Sequence, residues 1–135
     1  MKKETYELFA NGSVDEIVKV ISDELQTRNE SPFWADKVVP FSEAILSVLV
    51  VLRDEKRLFT PEGKDVDILT PELFLDWSDF VSLKSLYFRV EDVDTTKLAK
   101  YLHRYSVNLE NENLDFPIAN YNLHQGVSNV IKSLL

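Results

Sequence analysis

Apolar residues recur every three or four positions along most of this chain, which is the spacing of an amphipathic α-helix. The first clear example begins at Ser13, where Ser13 and Glu16 form a capping box and can each satisfy a free backbone amide of the first turn. The helix that follows carries one apolar stripe, formed by Val14, Ile17, Val18, Ile21 and Leu25. Charged residues occupy the other face, so we expect a surface helix with one buried side.

A second and more apolar helix is predicted from Phe33 to about Arg53. Ser31 can cap its start, and Pro32 then takes the first helical position, where a missing amide costs nothing. Apolar residues occupy most of the circumference, as expected for a helix that is packed on several sides. Pro40 lies inside this segment and is expected to kink the helix or to divide it in two.

The rest of the chain alternates polar breaks with shorter helical patterns. Residues 54–67 combine charge with Pro61 and Gly63, and we expect an exposed excursion that forms a small hairpin or an irregular connection. Residues 87–93 fit either a helix or a strand, and residues 108–116 are predicted to be a loop. Further helix starts are predicted at Thr70-Pro71, at Asp76 or Ser78, at Asp94-Thr95-Thr96 and at Pro117. Candidate core residues after the second of these starts are Trp77, Phe80, Val81, Leu83 and Leu86.

Composition supports one folded helical domain. The apolar fraction of 44% and the charged fraction of 28% are typical of globular proteins. Three glycines and five prolines are few for an all-β fold, which needs frequent turns. We therefore predict a single all-α domain over residues 1–135, a compact bundle of about five to seven helices with one charged loop or small hairpin excursion.

The net charge of −8 bears on the partners that this chain can bind. A negative field repels phosphate backbones and attracts basic molecules, so nonspecific nucleic-acid binding is not expected. The chain has no cysteine, which excludes disulfides, thiolate metal sites and thiol catalysis. The longest apolar stretch, Val38 to Leu52, is too short and too interrupted to span a bilayer, and no secretory signal opens the chain, so no membrane contact is expected.

Few residues are arranged for catalysis. His103 and His124 lack a second ligand at helical spacing, and we interpret them as surface or hydrogen-bonded side chains. The acid pairs within residues 65–67 and 92–94 lack the glycine and glutamate of a calcium loop, and they fit solvated acids or helix caps better. Because no phosphate-binding loop or nucleophile motif is present, we predict no catalytic, cofactor-binding or metal-binding residue. An acid-catalysed hydrolase stays open as a third reading, since the separation of two carboxylates is a three-dimensional quantity.

A longer set of residues resembles a known family. Residues 11–17, Asn-Gly-Ser-Val-Asp-Glu-Ile, open a helix; Phe33-Trp34 then opens a long apolar helix that reaches Leu52-Arg53-Asp54. This order resembles the all-alpha domain of the coupling proteins of type IV secretion and conjugation systems. A weaker match at residues 120–126, Asn-Tyr-Asn-Leu-His-Gln-Gly, is similar to the start of the final helix of that domain.

The resemblance implies that the chain is a fragment of a larger membrane-anchored ATPase that assembles as a homo-hexamer. In that family the all-alpha domain lies at the cytoplasmic mouth of the motor, on the cytosolic face of the inner membrane. It takes part in recognising protein substrates and their basic signals, adaptors or relaxase–DNA complexes. The segment itself is then expected to be a substrate-recognition domain without catalytic activity and without a cofactor.

Candidate protein-binding residues are the acids of two predicted loops, at residues 54–67 and 110–115, together with those of residues 91–94. The acids singled out are Asp65, Asp67, Glu91, Asp92, Asp94, Glu110 and Glu112. For any one of them the alternative is a solvated charge that keeps the domain soluble. Trp34 is expected to be buried beside the long helix. A freestanding acidic adaptor or secretion chaperone is the alternative function, and a tight dimer would favour it.

Overall fold

A computed structural model describes residues 3–29, 31–90, 92–113 and 117–135. Over these residues the chain forms seven α-helices, which confirms the predicted all-α class and number of helices. They are α1 (Lys3–Asn11), α2 (Val14–Thr27), α3 (Pro32–Asp54), α4 (Pro71–Asp76), α5 (Phe80–Arg89), α6 (Thr96–Arg104) and α7 (Ile118–Leu134).

The long helix α3 is the centre of the fold, and α2, α6 and α7 all pack against it. Its completely buried apolar residues include Val38, Phe41, Ile45, Leu46, Val48 and Leu49. As predicted, Ser31 stands at the N-cap position and Pro32 takes the first helical position, but the Ser31 side chain makes no capping hydrogen bond. Pro40 lies within an undivided helix, so of the two outcomes expected of it, a kink or a division, the division is wrong. Pro40 has no amide hydrogen to donate, so one hydrogen bond of the helix is missing there. Packing against three neighbouring helices compensates for this loss and allows the helix to continue past Pro40.

The capping box at the start of α2 is confirmed. The amide of Glu16 donates to Oγ of Ser13 at 3.2 Å, and the amide of Ser13 donates to Oε1 of Glu16 at 3.1 Å. The helix before it, α1, was not predicted, because its nine residues contain only one completely buried apolar side chain, Phe9. The Phe9 ring meets the Phe74 ring edge-on at 5.7 Å between centroids, so tertiary packing stabilises a helix that has no apolar stripe of its own.

Gly126 provides the space in which α7 contacts Trp34 of α3. A Cβ at position 126 would lie 2.4 Å from Cη2 and 2.9 Å from Cζ3 of the Trp34 ring. Trp34, which was expected to be buried, is partly buried against the core, and the neighbouring Phe33 is 55% exposed. The glycine is therefore required by a close approach between two helices and not by its own backbone conformation.

We expect Gly126→Ala to destabilise the protein by about 1 to 2 kcal/mol, because overpacking against Trp34 outweighs the gain of about 1 kcal/mol from alanine inside a helix. Urea unfolding followed by circular dichroism measures this change. In a Trp34→Ala background the same substitution should become stabilising, since the obstructing ring is gone. Equal destabilisation in both backgrounds would contradict the packing explanation.

Residues 58–67, which we name the hairpin loop, lie between α3 and α4. Phe59 and Asp65 form one isolated antiparallel bridge, and Gly63 at the turn has a φ of +91°, which glycine adopts without strain. Leu58 at its start and Leu69 just after it are buried, so the loop is anchored at both ends. Of the two structures expected for this excursion, the loop comes closer to the small hairpin: it is a turn closed by one bridge, with no strand among the described residues.

Candidate protein-binding surface

Two side chains hold the hairpin loop against the helices. Trp77, which is completely buried after α4, donates from Nε1 to the carbonyl oxygen of Phe59 at 3.2 Å, and the two rings meet edge-on at 5.4 Å. Arg89, at the end of α5, donates to the carbonyl oxygen of Pro61 at 2.8 Å and lies 4.7 Å from the centroid of the Phe59 ring. Trp77 and Arg89 thus contact both the backbone and the Phe59 ring of the loop. These contacts fix the position of the backbone that carries the acidic residues of the loop.

Negative charge is concentrated where the hairpin loop meets α4. Glu62, Asp65 and Asp67 of the loop are exposed. Burial, followed by the carboxylates of Glu62 and Glu72, raises the pKa of Asp76 on α4. Repulsion from Glu62 and Glu72, which the nearby Lys132 partly offsets, indicates that both of these acids lie close to Asp76. We name Glu62, Asp65, Asp67, Glu72 and Asp76 together the acidic surface.

Three members of the acidic surface were missed by sequence reasoning. Glu62 lies in the predicted excursion but was not singled out, Glu72 belongs to the short helix α4, and Asp76 was considered only as a helix cap. No local pattern connects a loop residue with a helix 10 to 14 positions later in the chain. Only the fold, which places the hairpin loop beside α4, brings these carboxylates together.

Asp94 is engaged at the start of α6. Its Oδ1 accepts hydrogen bonds from the amide of Thr96 at 2.9 Å and from the hydroxyl of Thr96 at 2.6 Å, and these bonds lower the pKa of Asp94. This is the helix-start role that the sequence left open for it. Asp92 is exposed in the preceding turn with a φ of 57°, and Glu91 lies outside the described residues.

The remaining predicted acids, Glu110 and Glu112, are exposed in the loop between α6 and α7. Glu112 lines a pocket beside α5 together with Lys84 and Arg89. Because Arg89 also holds the hairpin loop, segments of two predicted acidic loops border the same helix. Asp115, at the end of the predicted surface, lies outside the described residues.

Positively charged side chains cluster on α6. Lys97, Lys100 and Arg104 are exposed there, the helix has no acid, and no carboxylate in the described ranges lies within 4.0 Å of these cations. Removing these three positive charges from the net charge of −8 leaves −11 for the rest of the chain. The overall charge therefore understates how acidic the molecule is away from α6.

His124 is a buried, hydrogen-bonded residue of the core, whereas His103 is exposed on α6. Nδ1 of His124 lies 2.7 Å from the Tyr101 hydroxyl, Nε2 lies 2.5 Å from the carbonyl oxygen of Ser78, and the ring stacks on Phe80 at 4.0 Å. Burial lowers the pKa of His124 to about 4, so the imidazole is neutral near pH 7. Within the ranges that the structure covers, no group of three or more His, Cys, Asp or Glu side chains could hold a metal ion.

Comparison with known proteins gives no relative for this chain: no family model, no curated protein and no solved structure matches it. Of the helices described, none is long and apolar enough to cross a membrane.

Proposed function

We propose that this domain binds basic segments of other proteins through the acidic surface. The observation that carries the proposal is the concentration of carboxylates around Asp76, on a loop held in place by Trp77 and Arg89. A cation of a partner placed among these acids would relieve their mutual repulsion. Ile68, which follows Asp67 and is 60% exposed, offers an apolar contact for the aliphatic stem of a lysine or arginine.

At a finer level, we propose that the domain recognises substrates for a type IV coupling protein, on the cytosolic face of the inner membrane. Its partners would then be protein substrates with basic signals, adaptors or relaxases. The resemblance at residues 11–54 and 120–126 supports this assignment. The test is the complete reading frame: a nucleotide-binding motor is expected in the same gene, and a gene without one would overturn the assignment while leaving the binding proposal intact.

Neutralising the hairpin loop tests the binding proposal directly. We expect Glu62→Gln, Asp65→Asn and Asp67→Asn together to weaken the binding of an arginine-rich peptide about 10-fold, since exposed ion pairs contribute roughly 0.2 to 1 kcal/mol each. Isothermal titration calorimetry at low salt measures the dissociation constant. The same peptide with citrulline in place of arginine should bind neither protein, because it has the same shape without the charge.

A matched control separates the acidic surface from the net charge. Asp15→Asn, Glu16→Gln and Asp23→Asn together change the net charge equally, and all three residues are exposed on α2, which packs against α1, α3 and α7. This variant should lose less than about 2-fold in affinity, because the charges removed lie on a helix away from the acidic surface. If both triple variants lost the same affinity for the peptide, binding would depend on long-range attraction by the net charge, and a defined binding surface would be contradicted.

A further inference from the structure

Lys84 of α5 is almost completely buried, with a residue exposure of 1%, and it lines a surface pocket. Its ammonium donates a hydrogen bond to the carbonyl oxygen of Asn113. No carboxylate among the residues described lies within 4.0 Å of it. An ammonium group has three hydrogens to donate, and burying it without an anion is costly. An anion next to Lys84 would therefore be bound favourably.

The pocket beside Lys84 provides a place for such an anion. We name it the α5 pocket; its volume is about 190 Å³, which exceeds the roughly 150 Å³ of an engineered cavity that accommodates benzene. Its described lining consists of Val81, Lys84, Ser85, Phe88, Arg89 and Glu112. Four of these residues, at positions 81, 84, 85 and 88, have the spacing of one helical face, so a single helix presents both apolar and polar groups to the pocket.

The polarity of the lining restricts the class of ligand. Lys84 and Arg89 supply positive charge and Ser85 a hydroxyl group, while Val81 and Phe88 form apolar wall. Arg89 is already bonded to the hairpin loop, whereas Lys84 has no carboxylate partner among the residues that the structure describes. The carboxylate of Glu112 in the same lining repels an anion of high charge such as phosphate or sulfate. A singly charged anion with an apolar group fits these constraints best.

We propose that the α5 pocket binds a small organic carboxylate, with the carboxylate directed to Lys84 and Ser85 and an apolar group against Val81 and Phe88. Charge-assisted hydrogen bonds from an ammonium to a carboxylate are among the stronger ones in proteins. The apolar wall then selects for a hydrocarbon substituent over a bare ion such as acetate. This binding does not depend on the acidic surface, because its carboxylates lie outside the pocket lining.

Phenylacetate and its neutral analogue phenylacetamide are suitable probes. For the wild-type protein we expect phenylacetate to bind about 10-fold more tightly than the amide, since only the acid pairs with the buried ammonium. Two-dimensional ¹H–¹⁵N NMR titration measures both affinities, and the shifts should be concentrated at the amides of residues 81–89 and 112. Equal affinities for acid and amide would overturn the proposal.

Lys84→Met supplies the decisive variant, because methionine keeps the apolar stem and removes the charge. We expect it to abolish the preference for the acid, and to leave the protein folded, since replacing a buried ion with an apolar group is often neutral or stabilising. Lys97→Met is the matched control: it removes one exposed lysine from α6 and should bind phenylacetate as the wild type does. Equal loss in the two variants would contradict a site at Lys84.

Val81→Glu keeps the proposal testable if the lysine variant does not fold. Val81 is 44% exposed in the first turn of α5, where an acid is favourable for the helix, so this substitution should be tolerated. A carboxylate on the pocket wall should weaken phenylacetate binding at least about 10-fold by repulsion, with little effect on the amide. Unchanged phenylacetate affinity in this folded variant would overturn the proposed site.

Discussion

The free energy of unfolding is expected to fall by about 2 to 3 kcal/mol on account of His124 alone when the pH is lowered from about 7 to about 4.5. The pKa of His124 is lowered from 6.5 to about 4 in the folded protein, mainly because the ring is buried. The unfolded chain therefore binds a proton between these two pKa values while the folded protein does not. The contribution of His124 to stability is complete above pH 6.5 and is lost as the pH falls towards 4.

The hydrogen bonds of His124 explain why the neutral form is favoured. With the proton on Nε2, the ring donates to the carbonyl oxygen of Ser78 and accepts at Nδ1 from the Tyr101 hydroxyl. Burial also raises the pKa of Tyr101, so this hydroxyl keeps its proton and remains a donor. A second proton, at Nδ1, would face that hydroxyl hydrogen and would add a charge among the aromatic rings of Phe41 and Phe80.

Two measurements test this pH dependence. The first compares the free energies of unfolding of the wild type and of His124→Gln, measured with urea. The stability advantage of the wild type over the variant should shrink by about 2 to 3 kcal/mol between about pH 7 and pH 4.5. The titration of carboxylates is common to both proteins and cancels in this difference. In a His103→Gln background, the one remaining histidine signal in the NMR spectrum belongs to His124, since the chain has only two histidines. Titration of that signal near pH 6.5 would contradict a buried neutral ring.

Local capping chemistry explains why the start of α2 could be predicted and the start of α5 could not. The start of α2 is determined by Ser13 and Glu16, which are three positions apart, so it can be predicted from the local sequence alone. For α5 the sequence offers several caps within four residues, and the predicted ones, Asp76 and Ser78, are not used. Asp79 is the cap, with Oδ1 accepting from the amide of Ser82 at 2.8 Å.

Burial explains why Ser78 is not the cap. Its hydroxyl lies 2.9 Å from that of Ser128 on α7 and donates to the carbonyl oxygen of Leu75. The choice among neighbouring caps is therefore made by a contact with a residue 50 positions later in the chain. A helical pattern read in a short window contains no information about that contact.

The functional surfaces depend even more on tertiary structure. Asp65 and Asp67 were predicted correctly as exposed acids, but their neighbours on α4 were not. Val81 fits the apolar stripe of α5 and was placed among the core residues, yet it is 44% exposed beside a pocket. A lysine on a helix such as α5 is ordinarily expected to be exposed. Lys84 is buried instead, because the loop containing Asn113 packs over it. Such exceptions to the local pattern are where functional sites are expected.

Replacing Trp77 should have the largest effect of any single substitution considered for this protein. We expect Trp77→Ala to lower the free energy of unfolding by about 3 to 5 kcal/mol, a large part of the 5 to 15 kcal/mol typical of a whole domain. The side chain is completely buried, so its removal leaves a cavity beneath the hairpin loop, and the hydrogen bond to the carbonyl oxygen of Phe59 is lost as well. Urea unfolding followed by circular dichroism measures the loss.

Trp77→Phe separates the hydrogen bond from most of the apolar volume, and we expect it to cost about 1 to 2 kcal/mol. The amide of Val66, which donates to the carbonyl oxygen of Leu58 at 3.0 Å, should exchange its hydrogen faster in both variants, because the hairpin loop is less firmly held. The amide of Ile21 in α2 should show only the change expected from global stability. If the arginine-rich peptide binds Trp77→Phe as well as it binds the wild type despite faster exchange at Val66, a fixed hairpin loop is not required for recognition, and the acidic surface acts through its charge alone.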